Sequence, residues 1–264
     1  PFFDPQHVLL HDLHLESEDI DSEGMRLSLL LRHAQMREQS GLKLLHLGGR
    51  YQMDSVGMRL DGLDLITDAS SIKGYLSMPW SLLNSDRKAQ LELSTTTSLG
   101  MKDLLLFAGK TLQETQGGRE LFDTFARRGL LAPLKLQAEL TGTLTEIQIR
   151  QAEVKWPDIL DLSLSGTLSE VLEQHRSGRL KLRGRIGHKA NTLLALLSPQ
   201  QAKSYRIPSP LLLSGDIAIR RGHYQGDLTA EENTGKLHVK GQFTEATQTY
   251  NLALKAQGID GRHF

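Results

Sequence analysis

The stretch Leu180-Lys181-Leu182-Arg183-Gly184-Arg185-Ile186 alternates between apolar and basic residues, with a glycine in place of one apolar residue. Successive side chains of a β-strand point to opposite faces, so this period of two predicts a strand with one apolar face and one charged face. The same order recurs through the second half of the chain. The stretch therefore predicts the repeating unit of a sheet rather than an isolated strand.

The copies of this unit share one parity, in which the glycine stands on the apolar side of the strand. They are Ala138-Leu140-Gly142-Leu144, Leu162-Leu164-Gly166-Leu168, Leu180-Leu182-Gly184-Ile186, Leu211-Leu213-Gly215-Ile217, Leu237-Val239-Gly241-Phe243 and the looser Leu252-Leu254-Ala256-Gly258. Intervals of roughly 20–30 residues, broken by turn-forming residues, favour antiparallel neighbours. The glycines either form a common seam where the sheet curves or mark separate bulges, and we expect the seam.

The first half of the chain alternates less regularly, as at Leu27, Leu29 and Leu31. Between the halves, two stretches have helical spacing, Met101–Leu112 and Arg119–Arg128. The sequence therefore predicts a first β-sheet segment over 1–98, a helical insert or cap over 99–131, and a second β-sheet segment over 132–264. The helical part is expected to pack on the sheet through five apolar residues. These are Leu104, Phe107, Leu121, Phe122 and Phe125.

Composition excludes some classes of protein. Lys and Arg together number 31, as do Asp and Glu, and a nucleic-acid-binding chain would need an excess of positive charge. No apolar run approaches the roughly 20 residues of a transmembrane helix. The chain has no cysteine, and it starts at Pro1 without a signal peptide, so we expect an internal segment of a longer protein.

No motif in the sequence predicts catalysis or metal binding. Gly109-Lys110-Thr111 resembles the end of a phosphate-binding loop, but Leu104 occupies the position of the required glycine. His7 and His11 would share one face of a strand while His14 points to the other, so three convergent ligands are not expected. We predict a protein that is not an enzyme and that has no catalytic residues, no cofactor and no metal site.

The apolar residues are mostly leucine, and aromatic residues make up only 5% of the chain. A closed core normally mixes side-chain shapes to reach full packing density, whereas a uniform aliphatic face suits a fluid ligand. The serious alternative is a non-enzymatic β-scaffold or spacer with a closed, packed core. A membrane protein built of strands would alternate in the same way, but it would carry aromatic girdles.

The copies Leu180–Gly184, Leu211–Ile217 and Leu237–Gly241 resemble the degenerate repeats of the TamB and AsmA-like family. In that family a Leu-x-Leu-x-Gly strand is followed by a polar turn and another alternating strand. The stretches 40–71 and 99–107 are also similar to TamB proteins of the Bacteroidetes type. The likeness covers most of the chain and lies in its texture rather than in any catalytic signature.

The resemblance implies a periplasmic location, within a longer protein anchored in the inner membrane. It also implies a mainly β fold, in which a long curved antiparallel sheet forms an open, taco-like groove with a few short helices. The implied function is a bridge that carries phospholipid in outer-membrane biogenesis and protein secretion, with an Omp85-type outer-membrane partner.

The predicted ligands of the groove are phospholipid acyl chains, and nucleic acid is not an expected partner. The lining residues are those on the glycine side of the repeats: Leu140, Leu162, Leu164, Leu180, Leu182, Ile186, Leu211, Leu213, Ile217, Leu237, Val239, Leu252 and Leu254.

Overall fold

A computed structural model describes residues 7–84, 86–114, 132–170, 176–191, 210–232 and 235–258. Most of these residues lie in fourteen β-strands, which confirms the mainly β prediction. The strands are β1 (Leu10–Glu23), β2 (Arg26–Glu38), β3 (Lys43–Met53), β4 (Gly57–Thr67), β5 (Ser71–Pro79), β6 (Leu91–Leu99), β7 (Leu134–Gly142), β8 (Glu146–Trp156), β9 (Leu160–Ser169), β10 (Ser177–Ile186), β11 (Leu211–Arg220), β12 (His223–Glu231), β13 (Lys236–Thr244) and β14 (Thr249–Gln257). A 3-10 helix spans Trp80–Asn84, and α1 spans Met101–Glu114.

The strands follow one another in the sheet in the order in which they occur in the sequence, from β1 to β14. The sheet is antiparallel and open, as the sequence predicts. The chain divides into two compact units, unit 1 over residues 1–137 and unit 2 over residues 138–264. Each unit is described by itself below.

Bulges interrupt the alternation in unit 1. The register between β1 and β2 shifts between His11 and His14 and again between Glu18 and Asp21. Asp12 and Asp19 lie at these shifts with φ values of 54° and 52°, in the left-handed region that aspartate tolerates better than most residues. An extra residue reverses which face the following side chains occupy. The bulges therefore explain why the first half of the sequence lacks a constant parity.

The turn between β2 and β3 is built around a buried carboxylate. Glu38 is only 4% exposed and accepts bonds from the hydroxyl and the backbone N–H of Ser40, the latter at 2.7 Å. The Ser40 hydroxyl bond lowers the pKa of Glu38 from its ordinary value; burial opposes this shift, and the backbone N–H of Ser40 adds to it. The ionised form of Glu38 thus stabilises the turn.

Replacing Ser40 with alanine is expected to make the stability of unit 1 less dependent on acid. A carboxyl group whose pKa is lowered by folding stabilises the fold above its unfolded pKa, and this contribution is lost as the pH falls through the folded pKa. The wild-type melting temperature should therefore fall between about pH 5 and pH 3. Ser40→Ala should melt lower than wild type at neutral pH and lose less over the acidic interval; parallel melting curves across this range would contradict the role of Ser40.

Helix α1 buries a different face from the one predicted. Phe107 is 51% exposed, whereas Leu106 is 8% and Asp103 1% exposed, so the expectation that Phe107 packs on the sheet is wrong. The buried positions lie one residue before the predicted ones, and one residue turns a helix by about 100°. A hydrogen bond from Thr67, at the end of β4, to Asp103 holds this polar face inward. Leu104 is half-buried, and Leu121, Phe122 and Phe125 lie outside the described residues.

The glycines of unit 2 do not form the expected seam. Gly184 pairs with Leu162 and Leu213, and Gly215 pairs with Leu182 on one neighbouring strand. A Cβ atom at Gly184 would lie 2.3 Å from Leu162 Cδ2, so a leucine methyl group of the next strand occupies the space that the glycine leaves. The register is continuous from β9 to β11 at these positions, so they are not bulges either.

Candidate functional site

Antiparallel pairing joins the repeat residues of unit 2 into rows that run across the strands. Residues that are directly paired in a sheet place their side chains on the same face. The central row crosses seven strands, from β8 to β14, without a polar side chain. Its members are Ala152, Leu164, Leu182, Gly215, Leu228, Val239 and Leu254.

Two further aliphatic rows flank the central one on the same face. One comprises Val154, Leu162, Gly184, Leu213, Ala230, Leu237 and Ala256. The other comprises Ile149, Gly166, Leu180, Ile217, Gly226, Gly241 and Leu252. These three rows, with the paired residues Leu160, Ile186 and Leu211 beside them, are called the aliphatic face of unit 2.

Twelve of the thirteen predicted lining residues lie on the aliphatic face. They are Leu162, Leu164, Leu180, Leu182, Ile186, Leu211, Leu213, Ile217, Leu237, Val239, Leu252 and Leu254. Leu140 is half-buried in β7 and is not among the residues that these pairs connect. The register also brings Ile149, Val154 and Leu228 into the face, three residues that the sequence did not single out because their strands lack the full repeat.

The aliphatic face remains accessible within the described part of the chain. Leu162, Leu180, Leu182 and Leu213 are half-buried, although they lie in interior strands of the sheet. On β14 exposure is greater still, with Leu252 58% and Leu254 67% exposed. Side chains of a closed core would be almost fully buried. These leucines therefore present apolar surface to whatever lies above the face.

An aromatic row closes one end of the aliphatic face. Tyr224, Phe243 and Tyr250 are paired across β12, β13 and β14, and the first two rings lie 5.9 Å apart. Arg176 Nε donates to the Tyr224 hydroxyl at 2.7 Å, and Arg176 Nη2 lies 2.8 Å from both carboxylate oxygens of Glu245. The Tyr224 bond and then the Glu245 pair raise the pKa of Arg176. The face thus ends in a polar, charge-paired border.

The opposite face of the same strands is polar. Arg179, Lys181 and Arg183 are exposed there, and a shallow depression of about 510 Å³ lies on this side. Its side chains include Asp216, Gln225, Asp227, Lys240, Gln242 and Asn251. The His238 hydrogen bond lowers the pKa of Asp227, and Lys240 lies 3.3 Å away. This depression is therefore a hydrophilic feature, separate from the leucines.

Unit 1 contains a comparable cross-strand row, which the sequence did not indicate. It runs through Leu29, Tyr51, Leu60, Leu76 and Leu93 on β2 to β6, all of them half-buried. The register shift between Leu60 and Leu63 places both leucines on this face and breaks the alternation. A constant parity along the sequence could not have found it.

Histidines gather in unit 1 in a way that the sequence did not predict. His14, His33 and His46 come from β1, β2 and β3, and the His33 and His46 rings lie 5.1 Å apart. His14 Nε2 lies 2.9 Å from Glu16 Oε1, and this bond lowers the pKa of Glu16, with a smaller contribution from His33. Across the described residues, no three His, Cys, Asp or Glu side chains already converge as a metal site.

The chain has no recognised relatives to assign a function. No protein-family model matches it, and no curated protein or solved structure is detectably similar to it. Among the described residues, no helix is long and apolar enough to span a membrane.

Proposed function

We propose that this chain is a segment of a periplasmic, bridge-like lipid carrier, in which the aliphatic face of unit 2 holds the acyl chains of phospholipids. The observation that carries the proposal is the central row of seven residues from β8 to β14, which contains no polar side chain and whose members remain accessible. With strands about 4.8 Å apart, seven strands make an apolar surface roughly 29 Å wide.

The energetics of acyl chains fit such a surface. Each CH₂ group removed from water contributes about 0.8 kcal/mol, so binding can accumulate along the chain without any specific polar contact. Repeated Leu, Ile and Val side chains provide continuity, and shape selectivity is unnecessary. The polar head group would remain in solvent, and the face accordingly needs no dedicated polar site at its centre.

The wider role follows from the resemblance of the Leu-x-Leu-x-Gly repeats to the TamB and AsmA-like family. In this proposal the chain belongs to an inner-membrane-anchored protein that contributes to outer-membrane biogenesis with an Omp85-type partner. Its sheet would curve into the taco-like groove of that family, with the aliphatic face turned inward.

A photo-crosslinking amino acid placed at two neighbouring positions tests whether lipid contacts this face. At position 182 the probe lies on the aliphatic face, and at position 183 it lies on the opposite face of the same strand. After incubation with vesicles of phosphatidylethanolamine and phosphatidylglycerol, the probe at 182 should capture phospholipid and the probe at 183 should not. Equal capture at both positions, or none at either, would contradict the proposal.

Introducing two charges into the aliphatic face should reduce lipid capture more than it reduces stability. For Leu182→Asp with Leu213→Asp we expect at least about a tenfold loss of bound phospholipid, because losing two CH₂ contacts already exceeds the 1.4 kcal/mol that corresponds to a factor of ten. The melting temperature should change little, since both leucines are half-exposed. Lipid extraction with mass spectrometry measures the first quantity, and circular dichroism the second.

The matched control carries Arg183→Asp and Ser214→Asp, which are paired with each other on the polar face of the same two strands. This variant should keep both its lipid and its fold. Unfolding of the Leu182 and Leu213 variant, together with absence of lipid from the wild-type chain, would favour the scaffold with a closed core. In such a core the two charges would be buried without partners.

A further inference from the structure

The three histidines on β1 to β3 form the most concentrated group of metal-ligating side chains outside the aliphatic face. His33 Nδ1 and His46 Nδ1 lie 2.9 Å apart, and both rings are half-buried. The His14 ring lies 6.0 Å from the His33 ring. Glu16 is paired directly with His33 across β1 and β2, so its carboxylate emerges beside the histidine pair.

The separation of the two nitrogens has two physical explanations. In a neutral hydrogen bond, one Nδ1 donates its proton to the other. Alternatively, two imidazole nitrogens bound to one metal ion at 2.0–2.1 Å, with an angle between 90° and the tetrahedral value, are about 2.9–3.4 Å apart. The observed distance therefore already equals the spacing of two neighbouring ligands on one ion.

Gly48 makes room for this arrangement. A Cβ atom at position 48 would lie 2.9 Å from His46 Nε2 and 3.3 Å from His46 Cε1. The ring of His46 thus occupies the space that a side chain at Gly48 would need. Without the glycine the ring would be displaced from its position beside His33.

We propose that His33 and His46 bind a divalent transition-metal ion of the borderline class, such as Zn²⁺, through their Nδ1 atoms, with the Glu16 carboxylate as third ligand. Imidazole nitrogen and carboxylate oxygen are both common Zn²⁺ ligands. Glu16 must leave His14 to bind, and this exchange costs little because the two side chains are 60% and 52% exposed. The ion would join three strands of unit 1 that are otherwise held by backbone bonds.

Isothermal titration of the chelator-treated chain with Zn²⁺ at about pH 7.5, where imidazole is neutral, tests the site. We expect one ion per chain with a dissociation constant below about 100 µM. His33→Gln and His46→Gln should each weaken binding at least tenfold, and Glu16→Gln should weaken it as well. His223→Gln is the matched control, since His223 lies in unit 2 beside Thr244, and it should bind like the wild type.

A chain that binds no ion stoichiometrically, or that binds equally well without either histidine of the pair, would overturn the proposal and leave a simple hydrogen bond. If a histidine variant fails to fold, electron paramagnetic resonance of the wild-type chain with one equivalent of Cu²⁺ decides the question. Coupling to two equatorial nitrogens supports the site, and its absence overturns it. Affinity unchanged in Glu16→Gln would overturn the role of Glu16 as the third ligand.

Discussion

Replacing Thr67 with valine is expected to lower the free energy of unfolding of unit 1 by about 3 kcal/mol. The Thr67 hydroxyl donates to Asp103 and accepts from the backbone N–H groups of Ser70 at 2.7 Å and Ala69 at 3.1 Å. Asp103 is 1% exposed, and its Oδ1 atom has no hydrogen-bond partner in the described structure. Valine has nearly the same shape as threonine, so the loss comes from leaving polar groups buried without partners.

The two tryptophans allow this effect to be measured in the intact chain. Trp80 lies in unit 1 and Trp156 in unit 2, so in a Trp156→Phe background the fluorescence during urea denaturation reports on unit 1. Thr67→Ser keeps the hydroxyl and should remain within about 1 kcal/mol of wild type. Equal losses for the valine and serine variants would show that the methyl packing of Thr67 matters and its hydroxyl does not.

Replacing Gly166 with alanine is expected to destabilise unit 2 by about 4 kcal/mol, the largest effect we predict for a single methyl group. Gly166 has a φ of 143°, which side chains rarely tolerate, and an added Cβ would lie 2.0 Å from the backbone oxygen of Arg179. Neither strain can be relieved by rotating a side chain. Strain and overpacking therefore add to each other at this position.

Gly226 provides the matched control on the same face. The nearest atom to a Cβ at Gly226 is Leu228 Cγ at 3.9 Å, an ordinary contact. Gly226→Ala should leave the stability within about 1 kcal/mol of wild type, since it mainly restricts the unfolded chain. Trp156 fluorescence in a Trp80→Phe background measures both variants. Similar losses at the two positions would mean that glycine is needed for strand flexibility in general.

The sequence predicts unit 2 well because its register has few interruptions. From Leu160 to Ala256 the described pairs from β9 to β14 contain no shift, so the parity read along each strand is preserved from one strand to the next. Counting every second residue from the glycine is then sufficient to assign a face. What the sequence could not provide is the alignment between strands, and the expected glycine seam was wrong for this reason.

Unit 1 was less predictable because its bulges depend on backbone conformation. The positive φ of Asp12 separates His14 from the parity of His11, and nothing in the local sequence distinguishes this aspartate from others that stay extended. The same shift brings His14 close to His33, a residue 19 positions further along the chain. The histidine group is thus a product of strand pairing, which local spacing does not encode.

Helix α1 shows a third limit of sequence patterns. Helical spacing identified the element and its start, but hydrophobicity favoured Phe107 as a buried residue. The inward face is decided instead by the hydrogen bond between Asp103 and Thr67, two residues 36 positions apart. Polar groups that are paired across such a distance look like surface residues when each is considered alone.

The neighbour-to-neighbour order of the strands has an evolutionary consequence. Because each strand pairs with those that precede and follow it in the sequence, duplication or loss of one hairpin leaves the remaining pairs intact. Each such event changes the width of the apolar surface by about 10 Å, the spacing of two strands. A gene built in this way can adjust the reach of its product in small steps, each of which gives a chain that folds.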